Sequence, residues 1–204
     1  MMKYIFTFLS ICFSSSCFAQ NLSVLSTEER KFLVEMLQAS LAQFDSSIAN
    51  LTEAQFNFRP SKKEWTIAEC IEHVCLAELQ FPQIVKEELA KPANPTQRKE
   101  IKITNEKIAK RLKFRGFKAN APEIFKPSGR FVTVEEAIST FRNQRLKTID
   151  YVNVTNDDLR NHFWTHRATG IIDLYQTLIL MSAHLERHLA QIEEVKSDKK
   201  YPKN

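Results

Sequence analysis

Residues 171–195 read "IIDLYQTLILMSAHLERHLAQIEEV", and the fold turns on how this stretch is taken. Leu174, Leu178, Met181, Leu185, Leu189 and Ile192 recur at helical spacing, so the segment reads as an amphipathic helix from about Ile172 to Val195, preceded by Gly170. His184 and His188 fall within or beside its apolar stripe. An imidazole turned into an apolar bundle must find a hydrogen bond, stay neutral, or bind something that replaces its lost water.

Upstream, three more long helices follow from the same signals. Ser26 and Glu29 form a capping box, after which Phe32, Leu33, Met36, Leu37, Leu41, Phe44 and Ile48 mark a helix from about Thr27 to Asn50. Thr66 and Glu69 form a second box, with Ile67, Ile71, Val74, Leu76, Phe81 and Val85 carrying a helix to about Leu89. Thr133 and Glu136 open the next, through Ala137, Phe141, Leu146, Ile149 and Val152. Between the first two lies "LTEAQFNFRPSKKEW", a connection with one short helical turn, which Phe56, Phe58 and Trp65 pin to the core. "LRNHFWTHRATG" (159–170) reads as a loop or short extended piece.

Between the second and third long helices, Pro92, Pro95, Gly116, Pro122, Pro127 and Gly129 break the pattern. The connection is a long crossover with a short helix near Asn105 to Lys113. The whole describes an all-α four-helix bundle, an architecture that often builds metal sites between facing helices. Only three glycines, with 43% hydrophobic and 26% charged residues, agree with one ordinary helix-rich domain and exclude a disordered or fibrous chain.

Lys91 to Arg130 carries twelve basic and three acidic residues. Phe114, Phe117 and Phe125 are too few and too irregular to stack bases, so the stretch reads as a solvated face and not as a specific nucleic-acid site. The net charge of +5 is likewise mild.

"MMKYIFTFLSICFSSSCFAQ" (1–20) has a lysine, the apolar run Tyr4 to Phe13, then small residues, which is the layout of a signal peptide. Cleavage after Ala19 is expected, leaving 20–204 as an exported, periplasmic or secreted domain. Anchoring as a lipoprotein through Cys17 fits less well, because Ser14 stands where an aliphatic residue belongs. The run is too short for the ~20 residues that span a bilayer, and no later segment replaces it. Cys12 and Cys17 lie in this leader. Cys70 and Cys75, five apart on one helix, point about 140° away from one another at ~8 Å between Cα atoms, beyond disulfide reach.

Histidines at i and i+4 project from one face, close enough to share an ion at roughly 2.0 to 2.1 Å if it is zinc. Two core or surface histidines explain the same pattern equally well. A third donor shifts the balance: His73 adjoins the Ile67, Ile71, Val74 stripe of a helix that can pack beside the last one. Three neutral imidazoles suit zinc or nickel first, then iron or copper, and leave coordination positions open. Glu69 and Glu72 stand where either can orient an imidazole or shuttle a proton, or serve as a cap and a solvated surface group. Cys70 is one turn from His73 and is a further possible ligand. His162 and His166 form a second H-x-x-x-H in loop context, at the rim of a site or on the surface. Trp65, Trp164 and Arg145 line a pocket or, by default, pack in the core and form an ion pair.

Together, "RPSKKEWTIAECIEHV" (59–74), "APEIFKP" (121–127), "FRNQR" (141–145) and "HLERHLAQI" (184–192) resemble the DinB-like superfamily, which includes YfiT-like metal-dependent hydrolases and bacterial thiol S-transferases. The resemblance covers most of residues 20–204. It implies an up-down-down-up bundle, a divalent metal held by His73, His184 and His188, and a hydrolase or thiol-transferase acting on a small molecule, in a family whose members often pair as homodimers. No recognisable nucleophile or general-base motif, such as the glutamate of H-E-x-x-H, accompanies the histidines in sequence. A binding module without turnover, or a metal-free bundle with three satisfied histidines, is therefore the alternative.

Overall fold

Each long helix begins where a side chain satisfies the free N–H groups of its first turn. In the computed structural model, which describes residues 24–116 and 120–203, α1 spans Thr27–Ile48, α2 Glu53–Asn57, α3 Ile67–Leu89, α4 Asn105–Lys113, α5 Val134–Val154 and α6 Leu174–Lys196. Ser26 with Glu29 and Thr66 with Glu69 form the expected reciprocal capping boxes. Thr133 caps α5, but Glu136 reaches to Val132 N, so that box is only half formed. The expected leader and its expected cleavage point, with Cys12, Cys17 and Phe117, lie outside the described residues, and no described helix is long and apolar enough to cross a membrane.

The topology follows from two core clusters, one at each end of the bundle. Leu33 and Leu37 of α1 meet Phe81 and Val85 of α3, Ile149 and Val152 of α5, and Leu174 to Ala183 of α6. At the other end Phe44 and Ile48 meet Ile67 to Cys75, Ala137, Phe141 and Leu185 to Val195. The start of α1 therefore lies level with the ends of α3 and α5 and the start of α6, which is the up-down-down-up order. α3 and α5 run parallel side by side, so their link must return the whole length of the bundle, and the crossover does so. The four long helices close a ring in which α1 packs on α5 and α6, and α3 packs on α5 and α6. α4 lies along α6 from the outside.

The stretch read as a loop or short extended piece contains an extended strand, while the start of the last helix and the apolar assignment of two residues need correction. Residues 163–173 form an antiparallel hairpin, β1 (Phe163–His166) paired with β2 (Gly170–Asp173). Aromatic and β-branched residues on both arms favour strand, and Gly170 supplies the positive φ of +75° at the turn. Asp173, not the residues before it, then caps α6 in a box with Gln176, so the helix starts at Leu174 and not at Ile172. Phe32 and Leu146, assigned to apolar faces, are half exposed at 49% and 50%. They sit beside the buried stripes of Leu33–Leu37 and Arg145–Ile149, about 100° around each helix.

Candidate metal centre

His73 lies on α3 and His184 and His188 on α6, and the antiparallel packing of these two helices brings all three rings together. One nitrogen from each lies within 4.8 Å of the others, and among the described residues they are the group of this kind. Nε2 of His73 faces Nε2 of His184 at 3.2 Å. Ring centroids are 5.1 Å apart for His73 and His184, 4.4 Å for His73 and His188, and 4.7 Å for His184 and His188.

The opposite nitrogens are occupied. His73 Nδ1 donates to the Phe125 carbonyl at 2.7 Å, and His188 Nδ1 donates to Gln191 Oε1 at 2.9 Å. A neutral imidazole that donates through Nδ1 carries its lone pair on Nε2, so both bonds turn a lone pair toward the cluster. Burial is the first cause that holds His73 below the usual histidine range, partly opposed by the Phe125 bond. Burial, then the neighbouring histidines, holds His184 well below it; burial and then His73 do the same for His188. All three are therefore uncharged at neutral pH, the form that ligates a metal.

The donor set fits a divalent ion. Two nitrogens 3.2 Å apart, each about 2.0–2.1 Å from a zinc-sized ion, subtend roughly 100° there, close to the tetrahedral angle. Three imidazoles also fall short of a closed four-ligand structural site.

The walls are aromatic. The Trp65 ring lies 4.9 Å from His73 and stacks on His188 at 6.2 Å, while Phe81 meets His184 edge-on at 6.1 Å. Phe81 also meets Trp164 of the hairpin, whose indole N–H donates to Thr177 at 2.6 Å. His166 lies 5.5 Å from Trp164, and burial pushes it down to about 4. Two surface hollows, of about 460 Å³ beside Glu69 and Glu72 and about 650 Å³ beside Gln43 and Glu193, include none of the three ligating candidates.

Other sequence candidates lie elsewhere. Glu69 accepts from Thr66 N at 2.8 Å and from Arg59 at 2.6 Å, so it is a cap and an ion-pair partner. Glu72 is neither solvated nor turned to an imidazole: it is buried and accepts three backbone N–H groups from residues 128–130. Cys70 sits in the core away from the ring nitrogens, and burial pushes its thiol up to about 12. His162 is buried with its ring nitrogens 2.8 Å and 3.1 Å from the carbonyls of Asp158 and Lys91. Arg145 forms a fully buried ion pair. Sequence reasoning missed Gln191, although its i+3 offset from His188 is a signal. Nothing in sequence announces the Phe125 carbonyl, a backbone group 52 residues from its partner.

Three histidines converging from two antiparallel helices of an up-down-down-up bundle define a class of helical proteins built to present a histidine site between helices. Residues 36–192 match the model of the DinB superfamily, and the chain belongs to that family. It is 21% identical over 155 residues to YuaE, an uncharacterised protein of Bacillus subtilis strain 168, spanning 74% of this chain and 89% of YuaE. Its fold is that of YfiT from Bacillus subtilis, a probable metal-dependent hydrolase with an unusual four-helix bundle topology. The two superpose with a TM-score of 0.56 at 14% identity, over 89% of this chain and 99% of YfiT.

Proposed function

We propose that the protein holds one divalent metal ion through Nε2 of His73, His184 and His188 and hydrolyses a small-molecule substrate there. The observation that carries this reading is the paired orientation of His73 and His188, each held by an Nδ1–H bond with its lone pair turned inward. A divalent ion in such a site supplies Lewis acidity, acidifying water and polarising a carbonyl or phosphoryl oxygen. The chain's own contribution is orientation and exclusion of solvent. Phe125 and Gln191 fix the rings, and Trp65 and Phe81 wall the site against bulk water. Zinc or nickel suits the all-imidazole set first. The kinship of fold with YfiT supports hydrolysis over thiol transfer, and the signal-like leader adds to this, because an exported protein works away from the cytosolic pool of small thiols.

A second reading, a metal-binding module without turnover, is favoured by one specific observation. Both carboxylates near His73 on α3 are committed, Glu69 to Arg59 and the helix cap and Glu72 to the crossover, so neither is free to act as a general base. His166, uncharged at neutral pH and within electrostatic reach of His184, is a nearby titratable side chain that can serve in proton transfer. Turnover on a panel of esters and amides separates the readings. Activity that is lost on chelation, returns with zinc or nickel and is absent from His73→Ala supports the hydrolase; tight metal binding with no turnover on any panel member supports the module.

A further inference from the structure

Glu72 and His73 are neighbours on α3, and both reach the same part of the crossover. Glu72 Oε1 accepts from Ser128 N at 3.0 Å and Arg130 N at 2.9 Å, and Oε2 accepts from Gly129 N at 3.1 Å. Three residues upstream, the Phe125 carbonyl accepts from His73 Nδ1. Three consecutive N–H groups converge on one carboxylate because Gly129 adopts φ +71°, a conformation that closes the backbone into an anion-binding nest. The nest is filled by a side chain of this same chain. Its effect is to fasten residues 128–130 to the helix turn that carries His73.

We propose that Glu72 is a positioning residue for the metal centre: by clamping the nest at 128–130 it holds the Phe125 carbonyl against His73 Nδ1, so that Nε2 presents its lone pair to His184 and His188. This rests on the reading of the three histidines as a metal site. Without the carbonyl, His73 Nδ1–H is a buried donor with no partner, and the ring gains by moving its proton to Nε2 or by rotating. Either change removes the ligand. Because Glu72 acts through one intervening backbone group, the expected loss of affinity sits at the lower end of the 10- to 100-fold range for groups that orient metal-bound histidines.

The test uses two variants that leave every histidine intact. Glu72→Gln keeps the side-chain shape but turns an N–H₂ group toward a ring of N–H donors. Gly129→Ala places a methyl in open space, with nothing within 4 Å, and acts only by disfavouring the positive φ. Glu69→Gln, with the same charge change one turn earlier on α3, is the control. Zinc affinity is read by competition with a chromophoric chelator, and the His73 tautomer is read independently by ¹⁵N NMR of the metal-free protein. The expected result is about tenfold weaker zinc binding for Glu72→Gln, a smaller loss for Gly129→Ala, wild-type affinity for Glu69→Gln, and loss of the Nδ1–H tautomer of His73 in Glu72→Gln. Glu72→Gln that binds zinc like wild type and keeps that tautomer overturns the positioning role while the metal site stands. Wild-type protein that binds no zinc and no other divalent ion overturns the metal reading, and Glu72 as a metal-positioning group with it.

Discussion

Arg145 of α5 grips Glu78 of α3 with two parallel hydrogen bonds, Nε to Oε1 at 2.6 Å and Nη2 to Oε2 at 2.8 Å, at the centre of the bundle. The remaining guanidinium nitrogen donates to Ser40 Oγ of α1 at 2.6 Å, and Ser182 Oγ of α6 donates to the same hydroxyl at 3.0 Å. One polar network thus touches all four long helices at the level between the two apolar clusters. Arg145 is wholly buried, so its charge depends on Glu78 alone.

Breaking that pair from one side is therefore expected to be costly. Glu78→Ala leaves a buried guanidinium without its counter-charge and is predicted to lower unfolding free energy by about 3–5 kcal/mol in urea titration. Glu78→Leu combined with Arg145→Met removes both charges and is expected to recover most of the loss. A double variant no more stable than the single one would show that packing, not the uncompensated charge, dominates.

Asp173 joins the hairpin to α6 and does two jobs. Its carboxylate caps the helix at Gln176 N, 2.7 Å away, and accepts from Arg160 at 3.0 Å. Asp173→Ala removes both and is predicted to cost about 2–3 kcal/mol, whereas Asp173→Asn keeps the cap and is predicted to cost about 1 kcal/mol. Thermal melts of the two variants against wild type check the ranking.

Acidification should destabilise the fold in a defined window. His166 is pushed by burial from 6.5 down to about 4. Between these values the unfolded chain binds a proton that the folded chain refuses, so stability is full above pH 6.5 and falls as pH drops toward 4. The contribution is on the order of 1–3 kcal/mol, the lower figure allowing for the partial exposure of the ring. His73, His184 and His188, also lowered by burial, act with the same sign. His166→Gln should flatten part of this slope in urea titrations at pH 7, 5.5 and 4.5; parallel curves for variant and wild type would remove His166 as a cause.

The thiols of Cys70 and Cys75 are both buried and both pushed up to about 12 by burial. Neither should react with a thiol reagent in the native protein at pH 8, and both should react promptly in denaturant. Peptide mapping by mass spectrometry assigns the label, and native labelling of either would show that α3 opens locally.

The long helices were legible because their signals are local. Ser26 and Glu29, or Thr66 and Glu69, announce a start within four residues, and apolar spacing then carries the element. The His73, His184, His188 grouping was legible for a related reason: each histidine sits on or beside its helix's buried stripe, and the stripes must meet. The hairpin was less so, since its Phe163↔Asp173 pairing depends on two four-residue arms that make little pattern alone. Least legible were the groups that orient the histidines. Glu72 looked like a solvated carboxylate because its three partners are backbone N–H groups more than 50 residues away, and backbone leaves no trace in the sequence.

The most direct test is the metal content of untagged protein, measured by mass spectrometry for wild type and for His184→Ala, with circular dichroism to confirm that the helices persist. The prediction is about one zinc or nickel per wild-type chain and background levels in the variant. Wild-type protein that takes up no divalent metal, or a folded His184→Ala variant that retains it in full, would contradict the account.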